Sequence, residues 1–182
     1  MTLDKQHKNI AFIISKSEVG GAQTWVKDQI ELFNNDVKTY LITNQEGWLT
    51  HNSKVFDTLI IDGLDSGFNI VKALKIASYL KKNRIYTIIA SSANAGVYAR
   101  LIKVLINIRV IYVSHGWSCL YQQRYLSKLY IQAERILSKI TDKILCVSEN
   151  DRVNAIEKIR ISPEKLEVIR NGVFKKKYKN RS

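Results

Sequence analysis

The chain has 182 residues, 46% of them hydrophobic and 25% charged, with a single proline. That composition is globular rather than disordered and suffices for one sizeable core. The net charge of +13 suits nucleic acid, an anionic membrane or a phosphate-bearing ligand, and by itself does not choose among them.

The opening "MTLDKQHKN" is polar, and the apolar run "IAFII" behind it is far shorter than a secretory-signal core. A first strand is expected over residues 9–15. Two adjacent glycines, Gly20 and Gly21, follow it in "SKSEVGGAQTW", although the chain has only eight glycines. A helix is expected over residues 22–34, with Trp25, Ile30 and Phe33 on one side. Next come a strand over 37–43, an exposed loop "NQEGWLTHNS" carrying Trp48, and a strand over 58–61. A helix over 68–82 follows, with Val71, Leu74 and Leu80 repeating at helical spacing. A strand over 85–90 ends in Ser91, Ser92 and Asn94 and opens onto a helix over 95–107.

The remaining strands are expected over 109–113, 143–147 and 166–169, with helices over 121–141 and 151–159. The greasiest stretch, residues 97–113, is broken by Arg100, Lys103 and Arg109. It is no membrane span of about 20 apolar residues. Several strands are apolar throughout, as strands covered on both faces are. Strand–helix alternation of this kind predicts an α/β fold, a doubly wound and mainly parallel sheet with helices on both faces. Cys119 and Cys146 lack metal-ligand spacing, and Cys146 in "KILCVS" reads as a buried reduced thiol. His7, His51 and His115 are too scattered for a zinc motif, so no metal site is expected.

In a parallel sheet, ligands bind beyond the carboxyl ends of the strands. Gly20 and Gly21 stand at the first such end. Glycine there permits positive φ and lets a ligand approach the backbone, and the helix start that follows offers free N–H groups to an anion. The plain alternative is a tight turn and nothing more. There is no G-x-G-x-x-G and no G-x-x-x-x-G-K-[ST], which argues against a dinucleotide fingerprint and excludes a P-loop. His115 closes the fifth strand just before Gly116, where an imidazole can hydrogen-bond a ligand or simply satisfy a neighbouring carbonyl. Ser91, Ser92 and Asn94 offer polar groups to a ligand, with Asn94 equally suited to be a helix N-cap. Trp117 can stack on a ligand ring or pack inside.

Four stretches in order carry a resemblance. "SEVGGAQTWVKDQIELF", "VIYVSHGWS", "TDKILCVSEN" and "KLEVIRNGV" together resemble the N-terminal domain of family 4-like glycosyltransferases of GT-B fold. The resemblance spans about the whole chain and implies a domain over residues 1–170. Residues 171–182 would then be a basic tail starting the interdomain linker, with Asn171 and Gly172 as the interdomain turn. It implies that Gly20 and Gly21 approach the diphosphate of a nucleotide-sugar donor. It also implies that His115 is the catalytic candidate, and that Gln23, Ser91, Ser92, Asn94 and Trp117 lie on the acceptor side. No bound cofactor is implied; the nucleotide sugar, a UDP- or GDP-sugar, is a substrate.

Relatives of this kind retain configuration, generally without a bound metal, and many use lipid-linked acceptors at membranes. The implied setting is cytoplasmic, with the inner face of the membrane as a further partner. Arg124, Lys128, Arg135 and Lys139, with Tyr121, Tyr125 and Tyr130, decorate the long helix after the histidine loop. They form either an anionic-lipid surface or an ordinary solvated face. Glu149 and Glu157 have the spacing of the family's glutamate pair, but they precede the Asn-Gly turn rather than follow it, so the match reads as coincidence. No acidic residue follows Glu167, and the resemblance implies that the donor-binding half lies outside this sequence. The expectation is therefore the acceptor-binding half of a transferase in polysaccharide assembly, inactive alone. The alternatives are a non-catalytic partner of a split transferase, whose donor domain sits on another chain, or the remnant of a truncated gene. Six of the positive charges lie at Arg170, Lys175, Lys176, Lys177, Lys179 and Arg181. That tail favours nucleic acid, but no recognised nucleic-acid module accompanies it, so no nucleic-acid partner is expected.

Overall fold

The computed structural model describes residues 9–33, 37–121 and 124–170, with the side chains of Arg124 and Tyr125 outside that description. The Asn171–Gly172 turn and the basic tail also lie outside the described residues. Seven strands form one sheet: β1 (Asn9–Ile13), β2 (Lys38–Thr43), β3 (Asp57–Ile60), β4 (Thr87–Ala90), β5 (Arg109–Ser114), β6 (Lys143–Cys146) and β7 (Leu166–Val168). Their order is β3-β2-β1-β4-β5-β6-β7, and each adjacent pair is parallel. The helices are α1 (Gly21–Leu32), α2 (Trp48–Asn52), α3 (Ile70–Lys82), α4 (Ala93–Leu105), α5 (Arg124–Lys139) and α6 (Glu149–Asn154). The doubly wound α/β sheet expected from the alternation is present.

Side chains alternate across each strand, and β1 shows why its sequence is apolar on both sides. Phe12 and Ile14 enter a core with Trp25, Val26 and Ile30 of α1, Leu41 and Val113. Ala11 and Ile13 enter the larger core on the other face, with Ile76 and Leu80 of α3, Tyr98 and Ile102 of α4, and Tyr112. Cys119 and Cys146 are free and buried, and burial pushes their thiols up to about 11 and about 12.

Three expectations about elements are corrected. On α3 the buried face is Ala73, Ile76, Ala77 and Leu80, whereas Val71 and Leu74 are 70% and 53% exposed. The segment carries two apolar stripes, and the sheet takes the one with the small alanines. Trp48 does not stand in an open loop: it begins α2, is half-buried, and sits over fully buried Leu49. The fourth strand also starts later than residue 85. Ile85 N–H donates to Leu80 O (2.9 Å) and Arg84, at φ 51, to Lys81 O (3.1 Å). That is a Schellman closure of α3 with Ile85 as its buried apolar contact.

From β1 the chain winds outward through β2 and β3, then returns to place β4 on the other side of β1. The carboxyl ends of β1 and β4 therefore flank the topological switch point, where open α/β sheets take their ligands.

Candidate functional site

The loops at the switch point are tied together by small hydroxyl side chains. Ser91 N–H donates to Ile13 O (2.9 Å), continuing the β1–β4 ladder past the strand ends. Ser15 N–H donates to Ser92 Oγ (3.1 Å), and the two serine hydroxyls meet at 2.9 Å. On the other flank, buried Ser17 accepts from Leu49 N–H (2.9 Å) through its carbonyl and from Thr50 N–H (3.4 Å) through Oγ. A Cβ on Gly47 would lie 3.2 Å from Ser17, so glycine is what lets α2 close on this loop. Ser15 and Ser17 escaped the sequence reading. Their signal was the polar "SKS" that ends an apolar strand.

Gly20 and Gly21 do not use positive φ, and that expectation is corrected. Gly20 is extended (φ −174°, ψ 169°), a conformation open to any residue, and Gly21 begins α1. Their missing side chains make room in different ways, for Gln23 at Gly20 and for open space at Gly21. A Cβ on Gly20 would meet Gln23 Oε1 at 2.5 Å, while at Gly21 nothing lies within 4 Å. The first intrahelical bond of α1 runs from Thr24 N–H to Gly20 O (2.9 Å). The N–H groups of Gly21, Ala22 and Gln23 therefore precede the ladder, and the first turn holds no acidic side chain. Gln23, expected on the acceptor side, turns its amide back to donate to Lys16 O (3.1 Å), bracing this loop.

His115 follows β5 and precedes Gly116, whose φ of +106° only glycine adopts readily. Its Nε2 lies 2.7 Å from Ser91 Oγ, and its ring meets Trp25 of α1 edge-on at 5.6 Å between centroids. The imidazole thus joins three elements: the ends of β4 and β5, and the helix that carries the glycine pair. Burial lowers its pKa below the ordinary value, with the Asp151 carboxylate pulling weakly the other way. At neutral pH it is an uncharged hydrogen-bonding group.

The other expected site residues divide. Ser91 and Ser92 come together with His115 and Ser15 at the switch point. The helix cap is Ser92, not Asn94. Asn94 sits inside α4 and donates its amide to Asp65 O, tethering the segment after β3. It also lines a cavity of about 230 Å³ with Val97, Cys119, Tyr130 and Glu134. Trp117 is a correction. It is 2% exposed, donates its indole N–H to Asp151 O (2.8 Å) and packs on Tyr112, so its ring has no face for a sugar. A flat aromatic next to a histidine loop suits either role, and only packing separates them.

On α5, Lys128 and Lys139 are exposed beside Leu126, Leu129, Tyr130 and Ile136, with Tyr121 just before the helix. Arg135 leaves that face and donates to Ile159 O (2.8 Å). Glu149 and Glu157 are both exposed, with Glu149 bonded to Arg152 (2.9 Å), as a coincidental spacing allows. Among the described residues no cluster of His, Cys, Asp and Glu could hold a metal ion, and no helix is long and apolar enough to cross a membrane.

Comparison with known proteins gives the family and the fold. The family model for Glycosyltransferase Family 4 matches residues 19–175. The O-antigen biosynthesis glycosyltransferase WbnH of Escherichia coli is 46% identical over 166 residues, covering 91% of this chain and 49% of that protein. An Escherichia coli protein named UDP-Gal:alpha-D-GlcNAc-diphosphoundecaprenol alpha-1,3-galactosyltransferase is 26% identical over 168 residues, covering 88% and 43%. Among solved structures, Anabaena HepE in complex with UDP-glucose superposes with a TM-score of 0.69 at 15% identity, covering 92% of this chain and 44% of that one. The chain spans about half the length of the curated relatives it matches. It belongs to Glycosyltransferase Family 4, and its fold is that of one half of a GT-B glycosyltransferase.

Proposed function

We propose that this member of Glycosyltransferase Family 4 supplies the acceptor-binding half of a retaining transferase. That transferase moves a sugar from a UDP- or GDP-sugar to a glycan or lipid-linked acceptor in polysaccharide assembly. The observation that carries the reading is the pairing, at one switch point, of a glycine pair at the α1 N-terminus, open at Gly21, with the neutral imidazole of His115. Bare N–H groups and the helix dipole suit the donor diphosphate. An imidazole at the same carboxyl-end cleft suits a hydrogen bond to the transferring sugar or to the acceptor. The O-antigen relatives support the pathway class, and a UDP-glucose complex of similar fold supports the donor class.

Transfer needs the diphosphate's growing charge to be stabilised as the bond breaks. In this reading Gly20 and Gly21 contribute backbone dipoles from one side. A second, donor-binding domain contributes the rest, whether it stands on the same polypeptide or on a partner chain. Ser92 and Asn94 line the approach on the acceptor side, with buried Ser91 behind them bonded to His115. The nucleotide sugar is substrate rather than cofactor, and no metal is invoked. The setting is the cytoplasm at the membrane's inner face, where α5 meets anionic lipid through Lys128, Lys139, Leu126, Leu129 and Ile136.

The test is a titration of the ¹⁵N-labelled 182-residue chain with UDP-glucose and, separately, with GDP-mannose. Weak binding that shifts the amides of Gly20, Gly21 and Ala22 and the ring of His115 is expected, with negligible turnover. Shifts confined to other surfaces, or none at millimolar donor, would sink the proposal.

A further inference from the structure

We infer that Ser91 is a positioning residue that selects the tautomer of His115, so that the imidazole meets its ligand with an N–H at Nδ1 rather than a lone pair. The inference takes the ligand cleft from the function proposed above; the tautomer itself does not depend on it.

Ser91 Oγ belongs to a residue with no exposed surface, and among the described residues its one hydrogen-bond partner is His115 Nε2, at 2.7 Å. Its backbone is anchored by the bond from Ser91 N–H to Ile13 O, so the hydroxyl is presented from the sheet. A hydroxyl has one hydrogen and two lone pairs, and a neutral imidazole has one donor and one acceptor nitrogen. Two arrangements are open. If Nε2–H donates to Oγ, the serine hydrogen is stranded in a place that solvent does not reach. If Oγ–H donates to Nε2, that hydrogen is satisfied, the serine keeps only unused lone pairs, and the ring N–H falls to Nδ1 of a residue that, unlike Ser91, is partly exposed.

An unmet buried donor is the costlier omission. The second arrangement therefore dominates, and it puts the ring proton on Nδ1. Among the described residues Nδ1 has no hydrogen-bond partner. Trp25 fixes the ring from the α1 side by an edge-on contact. Asp151, in α6, is the charged group that acts on the imidazole, and it is too weak to overcome burial and make the ring cationic.

The chemical consequence is definite. His115 offers a hydrogen bond to an oxygen, whether a sugar hydroxyl, an acceptor hydroxyl or a phosphate oxygen. It does not present a free base to the incoming hydroxyl. Ser91 then acts through His115 and touches no ligand itself, which revises the acceptor-side role expected of it.

The tautomer is read directly from imidazole ¹⁵N shifts and two-bond ¹H couplings in the ligand-free 182-residue chain near pH 7.5, with His115 assigned by its loss in His115→Gln. Nδ1 protonated in excess of Nε2 by about fivefold or more is the expected result. In Ser91→Ala that ratio drops several-fold while the amide spectrum stays native. Should Ser91→Ala fail to fold, Ser91→Cys, with a weak S–H donor of similar bulk, is expected to give an intermediate ratio. A proton mainly on Nε2 in the unaltered chain overturns the inference. So does a ratio that the folded Ser91 variant leaves unchanged. Because no nucleotide sugar is present, a failed donor titration bears on the proposed function and leaves this measurement standing.

Discussion

Arg100 is wholly enclosed and grips Glu134 across the α4–α5 seam with two bonds, Nη1 to Oε2 at 2.7 Å and Nη2 to Oε1 at 3.2 Å. Its Nε donates to Gly96 O (2.8 Å), and its guanidinium lies 4.4 Å above the Tyr112 ring. Removing one partner strands a charge in the interior, which costs about 3–5 kcal/mol. Arg100→Ala is expected to lose stability on that scale in urea unfolding. Arg100→Met combined with Glu134→Leu is expected to recover most of it. Equal losses in the single and double variants would contradict the pairing argument.

Burial of His115 ties stability to pH. The folded imidazole has a lowered pKa, so below the ordinary value of 6.5 the unfolded chain takes up a proton that the folded chain refuses. Stability is expected to fall as pH drops from 6.5 toward the folded value and to level off beneath it, with Asp151 making the decline shallower. Urea midpoints between pH 7.5 and 5.5 should show this slope in the unaltered chain and a flatter one in His115→Asn. Parallel slopes would show that the burial of this ring does not govern the effect.

Two glycines that look alike in sequence should respond oppositely. A Cβ on Gly96 would lie 2.6 Å from the Tyr112 ring and 2.9 Å from Arg100 Nη2. Gly96→Ala is therefore expected to cost about 1–3 kcal/mol through overpacking. At Gly21 a Cβ meets nothing, so Gly21→Ala should stay within about 0.5 kcal/mol of the parent. It should nonetheless weaken nucleotide-sugar binding if the diphosphate sits there. Thermal melts of the two variants separate the packing glycine from the open one.

Lys165 closes the end of α5 from a distant part of the chain. Its ammonium donates to Ser138 O (2.8 Å), Lys139 O (2.7 Å) and Thr141 O (2.9 Å). These are carbonyls that a helix C-terminus leaves open, at its negative dipole end. Lys165→Met keeps the stem and removes the cap, and a loss of about 1–2 kcal/mol is expected. Hydrogen exchange should quicken in the last turn of α5 rather than evenly across the chain.

The α5 surface gives a binding test. Cosedimentation with vesicles containing anionic phosphatidylglycerol is expected, weakening as salt rises. Leu129→Ser with Ile136→Ser should abolish it without unfolding the chain, because both side chains are exposed. Equal binding to neutral phosphatidylcholine vesicles would rule out the charge argument.

Much of the fold was legible because burial on both sheet faces writes itself into composition. All seven strands were placed within two residues of their observed limits, and the helix expected over 68–82 starts two residues later, at Ile70. Amphipathic period alone misled on α3, where Val71 and Leu74 compete with Ala73 and Ile76 for the same core, and the sheet's closeness to the helix decides for the smaller pair. The helix at Trp48 was missed because five residues hold too few turns for a period to register. Its fixing contact, Leu49 to Ser17, lies more than thirty residues away.

The sequence by itself determined the alternation of strand and helix, the glycine pair after the first strand, the histidine at the end of the fifth, and the motifs that mark the family. These are local patterns, set by side-chain period and turn chemistry, and they survive without knowledge of what packs on what. The tertiary structure alone decided that Ser91 faces His115, that Ser15 faces Ser92, that Trp25 rather than Trp117 sits against the imidazole, and that Gln23 and Asn94 tether loops. Each of those pairings is a contact across separate elements. Strand order and crossover geometry bring its partners together, and no spacing along the chain encodes them.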